Sequence, residues 1–122
     1  MLDIESIRKF CLTKPEVTED FPFDKYTLVY KVCGKMFLLA SLDDIPLRIN
    51  LKCDPETAVE LREKYDSVFP GYHMNKMHWN TVIIDGSVRR KEILSWITDS
   101  YLLVVNSLKK KEKDRINKLL IK

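Results

Sequence analysis

The chain has 122 residues, 45% hydrophobic and 32% charged, with three glycines and five prolines; this suits one globular domain with a real core and excludes wholesale disorder. No apolar run approaches the ~18 residues of a membrane span, and the acidic start at Asp3 and Glu5 lacks the basic-then-apolar pattern of an export signal, so a cytoplasmic location is expected. The net charge of +3 is uneven: residues 108–122 hold seven basic and two acidic side chains, a net +5, whereas the other 107 residues hold 14 and 16, a net −2.

Asp3 is placed to cap a first helix whose Ile4, Ile7, Phe10 and Cys11 share a face, and Pro15 limits its length. Residues 15–23, PEVTEDFPF, are acidic and hold two prolines, which predicts a loop with Phe21 and Phe23 tucked against the core. Glu16, Glu19 and Asp20 lack the glycine turn of a calcium loop and read as solvated charge. Residues 25–32 are rich in Tyr, Thr and Val and predict a strand, Cys33-Gly34 a tight turn, and residues 35–42 a second, mostly apolar strand. A third strand begins at Pro46 and alternates: Leu47, Ile49 and Leu51 face the core while Arg48, Asn50 and Lys52 face out.

Asp54-Pro55 is a strong helix start, a capping carboxylate followed by proline, and predicts a helix to Tyr65 with Ala58, Leu61 and Tyr65 inward. Residues 68–74 and 79–84 predict a second hairpin turning at Asn75-Lys76. The helix over 89–108 is the clearest, with Ile93, Ile97, Tyr101, Val104, Val105 and Leu108 in one stripe. Residues 109–122 form a basic tail that either extends this helix or makes a short helix with Ile116, Leu119 and Leu120 on one side. The expected domain is therefore 1–108 with the tail appended, in the order α-β-β-β-α-β-β-α: an α+β two-layer fold, antiparallel sheet with helices on one face.

Residues 70–82, PGYHMNKMHWNTV, concentrate both histidines, a tyrosine, a tryptophan and two asparagines among little plain hydrophobic filler. Together with PEVTEDFPF, GKMFLLASL, IPLRINLKCDPETAVELRE, DGSV and SYLLVV, in this order and spacing, the segment closely resembles the MmcQ/YjbR family of small bacterial proteins over residues 2–108. The resemblance implies the α-β-β-β-α-β-β-α arrangement, similar to type III secretion chaperones, and a role for the two hairpins as a double wing on DNA. This chain departs from the family pattern at Glu16, where glycine is common, at Met77, where a second lysine is frequent, and at Arg89, where proline is common.

Three readings follow. In the first, Arg48, Asn50 and Lys52 of the middle strand meet Tyr72, His73, Asn75, Lys76, His78 and Trp79 of the late hairpin in a positively lined groove for DNA or another nucleic acid. In the second, a groove or the 35–42 strand at a sheet edge takes a peptide or protein partner. In the scaffold reading, Trp79 and Tyr72 are core anchors, Asn75 serves a left-handed turn, and each histidine is structural. An enzyme is not expected: no nucleophile elbow, phosphate loop, zinc spacing or catalytic carboxylate pair is present, although His73 or His78 with Asp54 and Lys52 would suit a proton shuttle. The odd, widely spaced Cys11, Cys33 and Cys53 read as reduced buried thiols. No cofactor and no metal is expected, no membrane partner, and a monomer.

Overall fold

The computed structural model describes residues 2–121. In chain order they form α1 (Ile4–Leu12), β1 (Val17–Asp20), β2 (Thr27–Val32), β3 (Lys35–Ser41), β4 (Arg48–Lys52), α2 (Pro55–Lys64), β5 (Val68–Pro70), β6 (Trp79–Ile83), α3 (Arg90–Asn106) and α4 (Lys110–Ile121). The strands make one open antiparallel sheet in the order β1-β2-β3-β4-β6-β5. The class is α+β, as the residue pattern predicts, with β1 and α4 as additional elements.

Strand alternation decides which face carries the core. Ile49 and Leu51 of β4 lie beside Leu38 and Ala40 of β3 and Val82 of β6, and all five join Ile93, Ile97, Tyr101, Val104 and Val105 of α3 in the main cluster. Phe37 is fully buried there, its ring edge-on to Tyr101 at 5.4 Å, because a register shift at Tyr30/Lys31 turns it to the same face as Leu38. The shift comes where the β3–β4 ladder ends, and Ser100 of α3 completes the bonding: its hydroxyl donates to the Phe37 carbonyl at 2.5 Å and accepts from the Lys52 N–H at 2.9 Å. Cys33 and Gly34 both have positive φ, 49° and 79°, as a two-residue hairpin of matching twist requires.

Residues 15–23 are not simply a loop. Val17–Asp20 pairs with β2 because Val17 and Glu19 point toward the helices, where the Tyr30 hydroxyl donates to Glu19 at 3.0 Å and Arg8 forks onto the same carboxylate. Acidic residues that look like loop composition are here the polar edge of a sheet, and charge on an edge strand opposes pairing with other chains. Phe21 and Phe23 do not tuck in; they are 46% and 64% exposed.

The tail folds as its own helix after α3 ends at Ser107. Ile116 is fully buried, whereas Leu119 and Leu120 are exposed. Arg115 grips Glu16 through two 2.6 Å hydrogen bonds, and Lys35 Nζ donates to the Ser107 carbonyl at 3.3 Å. Glu16 is left-handed at φ 57°, a conformation that favours glycine, and the side chain it carries there latches α4. The strand over 35–42 is not an edge: β3 lies between β2 and β4, and the edges are β1 and β5.

Candidate functional site: a groove on the helix-free face

Alternation places Arg48, Asn50 and Lys52 of β4, with Trp79 and Thr81 of β6, on the face opposite the helices. Val29, Leu39 and Trp79 form a second, smaller core there, overlain by Met36 and Met74. The cover comes from the loop 71–78, which joins β5 to β6 and is much longer than the two-residue turn expected at Asn75-Lys76; the predicted strand over 68–74 stops at Pro70.

Three sets of bonds hold this loop in place. Thr81 accepts from the Tyr72 N–H at 2.9 Å and donates to Asn50 Oδ1, while Asn50 Nδ2 donates to the Tyr72 carbonyl at 3.3 Å. Gly71 donates to the Trp79 carbonyl at 2.8 Å in an approach so close that a Cβ would sit 2.7 Å from Trp79 Cβ. From the other layer, Arg62 of α2 donates through Nε to Asn80 Oδ1 at 2.7 Å and through Nη2 to the carbonyls of Lys76 and Trp79. Asn80 is itself buried and donates to the Ala58 carbonyl at 3.3 Å.

The left-handed residue in the loop is His73, at φ 60°, rather than Asn75. Asn75 instead accepts from the Met77 N–H at 2.9 Å through its side chain, a local turn that needs no positive φ. The strained His73 packs against Tyr72 with ring centroids 4.0 Å apart and the ring planes tilted by 48°, and both rings are exposed.

Between this loop and the connections at 23–27 and 41–44 runs a groove of about 810 Å³. One wall is Asn50, Tyr72, His73, Met74 and Asn75; the other holds Phe23, Asp24, Tyr26, Asp43 and Asp44. Among the described residues no lysine or arginine lines it. Asp24 is committed to its own turn, accepting from Tyr26 N and Thr27 N at 2.8 Å each, which leaves Asp43 and Asp44 as the carboxylates that face a ligand.

Four of the nine sequence-predicted site residues, Asn50, Tyr72, His73 and Asn75, thus meet in one groove. The other five lie elsewhere. Arg48 and Lys52 occupy opposite ends of β4, roughly 13 Å apart by strand rise. Lys76 reaches back toward the Gly71 carbonyl at 3.5 Å, and His78 is exposed where the loop ends, its carbonyl accepting from Cys53 N at 2.7 Å. Trp79 is buried, 8% exposed, and belongs to the small core rather than to a stacking surface. Tyr72, by contrast, is no core anchor at 66% exposed. Sequence reasoning missed Arg62, which follows Ala58 by one helical turn and so shares its sheet-facing side, and it missed the opposite wall, whose residues are far away in the chain.

Burial pushes the Cys11 thiol up to about 12, and burial followed by the nearby Asp54 and Asp99 carboxylates pushes Cys53 up to about 11. Both are protonated at neutral pH and supply no thiolate nucleophile. Among the described residues no group of three His, Cys, Asp or Glu side chains is placed to hold a metal ion, and no helix is long and apolar enough to cross a membrane.

A family model described as YjbR matches residues 12–103. The chain is 37% identical over 113 residues to the uncharacterized protein YbdF of Escherichia coli O157:H7, covering 92% of each sequence, and 31% identical over 107 residues to YjbR of Escherichia coli K12, covering 88% of this chain and 91% of that one. Among solved structures it resembles Deinococcus radiodurans protein DR2400, with a TM-score of 0.89 and 40% identity over 96% of this chain and 89% of that one. A Pseudomonas syringae protein matches with a TM-score of 0.73 and 31% identity over 84% of this chain and 98% of its own.

Proposed function

The chain belongs to the YjbR family, and from that premise we propose that it is a binding module whose helix-free groove takes an extended, positively charged polypeptide segment. The observation that carries this reading is the groove's chemistry: exposed aromatic rings of Phe23 and Tyr72 together with the Asp43 and Asp44 carboxylates, and no lysine or arginine among the described residues that line it, while the Tyr26 ring already carries the Lys25 ammonium 5.2 Å from its centroid. Such a lining attracts ammonium and guanidinium groups through both the carboxylates and the ring faces, and it repels phosphate. Fluorescence anisotropy with labelled extended peptides tests the reading. Arginine- and lysine-containing peptides bind, their glutamate counterparts do not, and Tyr72→Ala or the pair Asp43→Asn, Asp44→Asn weakens binding at least tenfold. Equal binding of acidic and basic peptides, or indifference to these substitutions, overturns it.

A second reading, nucleic acid, is favoured by a different surface. The register puts the β2–β3 turn, the end of β4 at Lys52 and the loop 71–78 at one end of the sheet, and the Arg115–Glu16 pair holds the basic α4 beside that turn. Lys35, Lys52, Lys76 and the lysines of α4 therefore share that end, which suits a phosphate backbone better than the groove does. Binding there falls steeply with salt, and Lys52→Ala with Lys76→Ala, or Lys111→Glu with Lys118→Glu, flattens the salt slope; an unchanged slope rules the surface out.

A further inference from the structure

On the other side of the sheet, α2 and α3 diverge and leave a cleft of about 280 Å³, just under the ~300–1,000 Å³ of ordinary small-molecule sites. Its floor is Leu51 and Val82, buried neighbours on β4 and β6, and its walls are Leu61 of α2 with Trp96 and Leu103 of α3. The Trp96 ring is itself held by Tyr65, the two meeting edge-on at 5.2 Å. The residues of α3 that line the cleft are Trp96, Asp99, Leu102, Leu103 and Asn106, a second stripe separate from the Ile93–Ile97–Tyr101 stripe in the core.

The cleft's charged residues are Asp54, Asp99 and Lys52. Lys52 contributes from the backbone side, since alternation points its side chain to the opposite face and its N–H is held by Ser100. Asp54 caps α2, accepting from Thr57 N at 3.3 Å, whereas Asp99 is exposed and has no hydrogen bond or ion pair among the described residues. Beside the uncharged polar Thr57, Asn80 and Asn106, the side-chain charge bordering the pocket is thus negative, and Cys53 carries a thiol that burial and the two carboxylates keep neutral.

We propose that this cleft binds a small primary amine with a compact apolar body, the body seated on Leu51, Val82 and Leu103 and the ammonium held by Asp99. This site is independent of the groove on the helix-free face. The test is a heteronuclear NMR titration of the full chain with phenethylamine and, separately, with the neutral isostere 2-phenylethanol. Phenethylamine shifts the methyls of Leu51, Val82 and Leu103 and the Trp96 indole, and binds at least tenfold more tightly than the alcohol. Asp99→Asn, an exposed change that leaves thermal stability intact, brings the amine down to the alcohol's affinity, and Leu103→Trp blocks both by filling the cleft. Absence of shifts at these residues, equal affinity for amine and alcohol, or amine binding untouched by Asp99→Asn overturns the proposal.

Discussion

The two ends of the sheet are built on opposite plans. At one end the chain turns through 21–26 and 42–47, with Asp20, Asp24, Asp43, Asp44 and Asp85 gathered near short connections. At the other lie the Cys33-Gly34 turn, Lys52, the long loop 71–78 and the basic α4. The acidic end is local: its side chains bond their own turns, as Asp24 does with Tyr26 and Thr27 and Asp85 with Ser87. The basic end is assembled from distant pieces, since Arg62 fixes the loop from α2 and Arg115 fixes α4 to Glu16 across 99 positions of sequence. The difference teaches that the groove exists because a long-range scaffold bends a loop from the basic end back over the sheet toward the carboxylates of the acidic end.

That contrast is broken most severely at the loop's floor. Trp79→Ala removes the largest side chain of the small core and is expected to cost about 3–5 kcal/mol in denaturant unfolding. Gly71→Ala forces a Cβ against Trp79 and its carbonyl, an overpacked contact expected to cost about 1–3 kcal/mol and to shift the amides of the whole loop. Arg62→Ala leaves buried Asn80 and two carbonyls short of a donor, and about 1–3 kcal/mol is expected, with faster amide exchange through 71–78 while the 41–44 connection stays unchanged. At the acidic end the expectation reverses: Asp43→Asn and Asp44→Asn fall within about 0.5 kcal/mol of the parent in stability and act only on binding.

The smallest effect concerns pH. Hydrogen bonds from Arg115 hold the Glu16 carboxyl below its ordinary range, so the latch on α4 is complete above about pH 4.3 and is lost as the pH falls through the depressed folded value. Amide exchange in α4 is expected to speed up on acidification below that point in the parent protein. In Glu16→Gln it is already faster at neutral pH and shows no such step.

Much of the fold was legible in the residues. The Asp54-Pro55 start of α2, the β4 alternation and the α3 stripe each rest on local chemistry that names its own element. β1 was not legible, because four residues of acidic composition become a strand only when Tyr30 and Arg8 engage Glu19 from elsewhere. In the site, Asn50 and the Tyr72, His73 and Asn75 loop stood out by composition, whereas Asp43 and Asp44 looked like an ordinary turn until the fold set them across the groove. Trp79 illustrates the limit: sequence marks it as a large aromatic beside polar neighbours, and only its packing with Val29 and Leu39 beneath Met36 and the back-folded Met74 decides that it is core.

The most direct test of the groove is an NMR titration of the parent protein with an arginine-containing extended peptide. Shifts are expected in the Asn50 side-chain amide, in the backbone amides of residues 72–75 and in those of Asp43 and Asp44. Shifts confined to Lys35, Lys76 and α4, or none at all, would contradict it.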